Sequence, residues 1–236
     1  MIPAMDDSAD TGIGHALQDA YPDARCELLA RDAWELLVAT ILSARTTDVQ
    51  VNKVMAVLNE HYVGPQAFAD LDHRELDRVV RHVPLHRQKA RAIVEAARAV
   101  LRLHGGRVPG ELNALAQLPG VGRKTAAVVL GNAFGVPAVA ADVHVQRIVH
   151  RLGWAGREHP GDAEVALVRR FAPEFWVRLC HQLIRLGRDC CRRQKPRCER
   201  CPVARFCERQ GVAPAGAPQS SGGASGLPDF PAPGQS

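Results

Sequence analysis

The chain has 236 residues, 46% of them apolar, enough for one large or two small globular domains with cores of their own. No stretch is apolar for long enough to cross a bilayer, which excludes a membrane-spanning function read from helices. The net charge of +5 favours an anionic partner, and the start, Met1-Ile2-Pro3-Ala4-Met5-Asp6-Asp7, lacks the basic-then-apolar pattern of a secretory signal, so the cytoplasm is the expected compartment.

Along the chain, the first thirty residues lean acidic, with Asp6, Asp7, Asp10, Asp19, Asp23 and Glu27 against Arg25. Trp34, Leu37, Val38, Ile41 and Leu42 then fall on one face of a helix. Helical spacing continues over 46–62 and 72–82, and through Ala90, Ile93, Val94, Ala97, Val100 and Leu101. Breaks fall at Gly64-Pro65, Val83-Pro84, Gly105-Gly106 with Pro109, and Pro119-Gly120. Further helices are expected over 122–134, 143–152, 162–171 and 174–187, with breaks at Val136-Pro137 and Pro173. Val136 to Ala141 is apolar but too isolated to make a sheet. The fold class is all-α. Residues 211–236 are mostly Gly, Pro, Ser and Ala with no basic side chain, a composition expected to be disordered.

The positive charge is concentrated late. Between Arg185 and Arg209 stand nine basic and three acidic residues, interleaved with most of the cysteines. Seven cysteines occur, at 26, 180, 190, 191, 198, 201 and 207. Cys191, Cys198, Cys201 and Cys207 are close enough in sequence to converge on one centre, and thiolates select zinc or an iron–sulfur cluster. Spacing alone leaves both open. Cys190 is an alternative ligand beside Cys191, whereas Cys26 and Cys180 read as buried, apolar-like residues.

Only Lys53, Lys89, Lys124 and Lys195 are lysines among thirty basic residues. Arginine binds phosphate well but stays protonated and cannot serve as an amine nucleophile. Lys124 lies in Leu118-Pro119-Gly120-Val121-Gly122-Arg123-Lys124-Thr125-Ala126, a Gly-rich turn feeding a helix N-terminus. Free N–H groups there suit a phosphate, and the pattern is that of a helix–hairpin–helix element. The positive helix end disfavours an ammonium and favours the neutral amine that attack requires. Simple phosphate pairing is the competing role for Lys124. Asp142, before the amphipathic run Val145, Ile148, Val149 and Leu152, is a good N-cap; that needs no catalysis, although a carboxylate there could also face a nucleophile.

These residues are similar to the endonuclease III family of helix–hairpin–helix DNA glycosylases. The resemblance covers about 26–209 and rests on Leu42-Ser43-Ala44 with Thr47-Asp48, the 118–126 hairpin, Asp142-Val143-His144-Val145, and the cysteine spacing with Lys195-Pro196-Arg197-Cys198. It implies a two-lobed fold. A six-helix lobe would span 26–136, and a cluster lobe 137–209 would be joined by 1–25, with DNA in the cleft between and 210–236 a disordered tail. It implies a [4Fe–4S] cluster on Cys191, Cys198, Cys201 and Cys207, which favours iron–sulfur over zinc. It implies a monomer acting on double-stranded DNA, associated with the nucleoid, that excises oxidised pyrimidines and cleaves abasic sites.

Position by position, the resemblance makes Lys124 the nucleophile and Asp142 its catalytic aspartate. Adenine-mismatch relatives usually have serine at the first position, and monofunctional alkylation-repair relatives keep only the aspartate. A DNA-binding protein whose cluster senses redox state is the non-enzymatic alternative. Gly120, Gly122, Arg123, His144, Arg193 and Lys195 are expected to contact DNA, and Arg188, Arg192 and Arg197 to add salt-dependent affinity. Leu85 matches the family's apolar wedge, with an ordinary buried leucine as the alternative. Three departures stand out. Arg45 replaces the glutamine that fills the gap left by a flipped nucleotide, Ala127 replaces a common asparagine, and Val143 a common threonine.

Overall fold

A computed structural model describes residues 9–213. Residues 214–236, most of the expected disordered tail, and 1–8 lie outside the described residues. Eleven α-helices follow one another, with no strand among the described residues. They are α1 (Ala9–Ala20), α2 (Ala33–Ser43), α3 (Asp48–His61), α4 (Gly64–Ala69), α5 (His73–Val80) and α6 (His86–His104). Then come α7 (Leu112–Ala116), α8 (Arg123–Phe134), α9 (Val143–Arg151), α10 (Pro160–Arg170) and α11 (Trp176–Asp189). Short 3-10 turns occupy Pro173–Phe175, Cys198–Arg200 and Ala204–Phe206.

The all-α expectation holds, and its helices lie within a few residues of the expected spans. Their starts have local causes: Asp32 accepts from the Glu35 N–H, Thr47 from Gln50 and Asp72 from Arg74. Three helices were not anticipated. α4 starts at the Gly64-Pro65 pair read as a break, because a proline in the first turn has no N–H that needs a partner. α1 buries only Ile13 and Leu17, and α7 only Leu115, too few positions to write a stripe. Residues 210–213, assigned to the tail, are described, and the Gln210 N–H donates to Arg151 O at 3.2 Å.

The buried apolar residues form two clusters. One draws on Trp34 to Ala138; the other combines Ile13 and Leu17 of α1 with residues from Val139 to Val203. α2 is the central element of the first. Every residue from Trp34 to Leu42 is buried, with α3, α4, α6 and α8 packed around it. Each fully buried Leu or Ile contributes roughly 1.5–3 kcal/mol, and Leu37, Leu42, Leu58, Leu76 and Ile93 are all fully enclosed. α8 packs on α2 and α7 in the first cluster and touches α11 of the second. Gly131 permits that approach, since a Cβ there would sit 2.7 Å from Val177 Cγ2. The two cores therefore meet along α8 and α11.

Candidate active site

The turn before α8 is built on two glycines with different duties. Gly120 has φ +74°, and an added Cβ would lie 2.5 Å from Ala92 Cβ on α6. Backbone conformation and close packing both require glycine there. Gly122 is the N-cap of α8 with extended backbone and no side chain over the helix end. Nothing lies within 4 Å of a Cβ built on it. The first N–H groups of α8 are thus open, as anion binding requires.

Lys124 is the second residue of α8 and is exposed. Its neighbour Arg123 donates through Nε and Nη2 to the Glu164 carboxylate of α10, at 2.9 and 2.5 Å. That pairing ties α8 to α10 with a guanidinium expected to meet phosphate. Asp142 caps α9: one oxygen, Oδ1, accepts from the His144 and Val145 N–H groups at 2.8 and 2.9 Å. Capping and a role in a site are not exclusive, because Lys124 and Asp142 line the same cleft, of about 280 Å³.

The walls of this cleft come from both cores. The end of α2 supplies Ser43, the turn after it Ala44 and Arg45, and the start of α3 Asp48; α8 supplies Lys124, Thr125, Ala127, Val128 and Asn132; α11 supplies Val177, Cys180, His181, Ile184, Arg185 and Arg188. Cys26 and Glu27, in the segment after α1, also line it. Cys180 is buried as expected, and burial pushes its thiol up to about 12. Cys26 is only half-buried and also faces this cleft. His181 Nε2 donates to Asn132 Oδ1 at 2.9 Å, and burial holds the imidazole below its ordinary value.

A charge network closes one side. Arg185 and Arg188 donate to the two oxygens of Glu27, at 2.8 and 2.7 Å, and Arg188 donates also to Asp48 at 2.8 Å. Burial alone would raise the Glu27 carboxyl, but these two guanidinium bonds outweigh it and hold it below the ordinary carboxylate range. Arg188, expected among the cluster's basic residues, is instead engaged at the cleft. The sequence reading missed Glu27, His181 and Arg185. Glu27 lies more than 150 residues from its partners, and no local pattern marks such a pair.

Arg45 and Leu85 lie in left-handed backbone, at φ 57° and 62°. For non-glycine residues that conformation costs roughly 1–2 kcal/mol each. Leu85 is 44% exposed, so it is not the buried turn leucine of the alternative reading. His144 is half-buried: Arg147 Nη2 donates to its Nδ1 at 3.1 Å, and burial lowers its basicity. Val143 is exposed, whereas Ala127 is buried in the first core.

Cys191, Cys198, Cys201 and Cys207 line one small cavity with Cys190. No three His, Cys, Asp or Glu among the described residues are grouped tightly enough for a single ion. Burial pushes the Cys201 thiol up to about 12, with its neighbours Cys191, Cys190 and Cys207 adding to the rise. The donors around the sulfurs suit an anionic group. The Arg151 guanidinium donates to Cys191 Sγ at 3.3 Å, and Arg147 donates to Cys191 O at 2.7 Å. Both arginines are buried. Cys190 Sγ is held by Asp189 and by Arg200 O, each at 3.6 Å. Arg193 lies 3.7 Å from Glu158, and Lys195 is exposed in left-handed backbone.

Residues 38–173 match the model of the HhH-GPD superfamily of base excision DNA repair proteins. The chain is 40% identical over 192 residues to endonuclease III of Bacillus subtilis, covering 80% of this chain and 87% of that one. Against endonuclease III of Escherichia coli K12 the identity is 38%, covering 81% and 91%. The fold superposes on a trapped endonuclease III–DNA covalent intermediate, an estranged-adenine complex, with TM-score 0.80 and 39% identity over 85% of this chain and 96% of that one. No described helix is long and apolar enough to cross a membrane. With Lys124 and Asp142 on one cleft and matches of this extent, the chain belongs to the endonuclease III family, the base-excision-repair enzymes that act as DNA glycosylases and abasic-site lyases.

Proposed function

We propose that Lys124 is the nucleophile of a glycosylase and lyase acting on oxidised pyrimidines and abasic sites in double-stranded DNA, with Asp142 assisting. The observation that carries this reading is that both side chains line one cleft. A reacting sugar carbon cannot be reached inside the duplex, so the damaged nucleotide is turned out into that cleft. The neutral Lys124 amine attacks C1′, and the electron pair of the glycosidic bond leaves with the base, which takes up a proton. Asp142 accepts the proton of the attacking amine or balances the positive charge at the sugar. Ring opening yields a protonated Schiff base. Loss of a proton from C2′ then drives the C3′–O bond electrons onto the departing 3′ phosphate. Hydrolysis of the Schiff base restores the Lys124 amine.

Gly120 and Gly122 present backbone N–H groups to phosphate, Arg45 and Leu85 enter the duplex at the lesion, and Arg193 and Lys195 with their basic neighbours add salt-dependent affinity. His144, half-buried and neutral, contributes by contact rather than charge. We take the two cores as two lobes, 26–136 and 137–209, the second joined by the described N-terminal residues 9–25, in a monomer acting on the nucleoid in the cytoplasm. Cys191, Cys198, Cys201 and Cys207 hold a [4Fe–4S] cluster, supported by their shared cavity and by the cationic donors on it. When bound, the cluster cross-links the 191–207 loop.

Borohydride trapping on a duplex with one thymine glycol tests the reading. A covalent complex forms with the wild type and not with Lys124→Gln, which still binds the duplex. Trapping that survives in Lys124→Gln refutes the assignment of the nucleophile.

A further inference from the structure

Lys89 is a lysine with no place in the chemistry above. It is 5% exposed, and no carboxylate pairs with it among the described residues. Burying an ammonium is costly unless its hydrogens are satisfied. Here Nζ donates to Leu42 O at 2.8 Å, Ala44 O at 2.5 Å and Thr46 Oγ1 at 3.1 Å. Three N–H groups meet three oxygens. All three acceptors belong to the end of α2 and the turn that follows it, and that turn carries Arg45.

The same residue secures a second turn through its backbone. The Lys89 N–H donates to Leu85 O at 3.0 Å, the first helical bond of α6, whose N-cap is Leu85. Four non-glycine residues have positive φ among the described residues, and Arg45 and Leu85 are two of them. Both are exposed at the tips of their turns. Such backbone persists only where its surroundings over-determine it, and at these two sites one residue supplies a bond to each turn.

We propose that Lys89 is a positioning residue that couples the Arg45 turn to the Leu85 turn, so that the two side chains enter the duplex as one rigid pair. The proposal rests on the reading of Arg45 and Leu85 as the groups that enter DNA. It also accounts for a lysine in a chain that otherwise prefers arginine. A tetrahedral ammonium satisfies three oxygens gathered around one point, whereas a planar guanidinium cannot.

The test uses the full chain and two substrates, an abasic site in a duplex and the same strand alone, with 2-aminopurine beside the lesion as a reporter of unstacking. Only the duplex needs the two side chains. For Lys89→Met, the ratio of duplex to single-strand trapping rates falls by about tenfold, the scale set by losing a charge-assisted hydrogen-bond set, and the 2-aminopurine signal drops with it. Lys89→Arg gives the same loss, because charge without the right geometry does not rescue. Thr46→Val, which removes one acceptor without touching the buried charge, shifts both readouts the same way by less and serves where Lys89→Met does not fold. Equal losses on both substrates, a rescue by arginine, or a ratio unchanged in Thr46→Val would overturn the proposal. Arg45→Ala with Leu85→Ala separates the two readings: if that double variant keeps the wild-type ratio and signal, the entry of these side chains into DNA is what fails.

Discussion

Asp142 and Lys124 line one cleft although they stand eighteen positions apart and the chain passes from one hydrophobic core to the other in between. The Asp142 carboxylate also caps α9, so a simple deletion would confuse two roles. Asparagine caps as well as aspartate, and alanine does not. Asp142→Asn is therefore expected to keep its melting temperature while base excision slows by about 10²-fold or more, the scale of a lost proton-transfer group. Asp142→Ala loses both, with about 1 kcal/mol of stability from the cap. Single-turnover kinetics beside thermal melts decide this. An Asp142→Asn enzyme of wild-type rate would reduce Asp142 to a cap.

The two hairpin glycines should fail differently. Gly120→Ala meets left-handed backbone and an overlap with Ala92. It is expected to cost about 2 kcal/mol or more, a fall in Tm of roughly 4–8 °C for a chain this size. Gly122→Ala has φ −86° and open space around it, so its Tm should stay near wild type while its affinity for a duplex falls. Equal melting of the two variants contradicts this.

Glu27 gives the cleft a pH dependence of defined sign. Its folded carboxyl is held below the ordinary value by Arg185 and Arg188 against the opposing effect of burial. The stabilisation is complete above the unfolded carboxyl value of about 4.3 and fades as pH falls through the lower folded value. The Tm difference between wild type and Glu27→Gln should be flat from about pH 6 to 8 and shrink below about pH 4. A difference that grows on acidification has the wrong sign.

Removal of the proposed cluster should unfasten the basic loop before it touches the chemistry. Cys198→Ala is expected to bind no iron and to lose duplex affinity by about tenfold or more. Its maximal trapping rate at saturating protein should stay within about threefold of wild type, because a loss of binding leaves the chemical step alone. Iron analysis with a titration in DNA checks it, and full affinity in an iron-free protein would refute it.

Much of this was legible in the sequence because it is local. Helical stripes such as Ala90, Ile93, Val94, Ala97 and Val100 write their own periodicity. Asp142 advertises a cap, and Gly120-Val121-Gly122 a turn, through backbone rules that act within a few residues. Four cysteines within seventeen residues could be read as one centre. α4 was hidden because Gly64-Pro65 reads as a break although its proline sits in the first turn of a helix, and α1 because two buried residues leave no pattern.

The sequence by itself determined eight of the eleven helices, the hairpin, the spacing of the cysteines and the choice of lysine at 124. Only the tertiary structure decided that Lys124 and Asp142 share a cleft, that Glu27 joins Arg185 and Arg188, and that Lys89 spans the Arg45 and Leu85 turns. The reason is the range of the forces. Periodicity and capping are settled by bonds to near neighbours in the chain. These meetings depend on how two cores pack along α8 and α11, and on which buried charges find partners once water is gone.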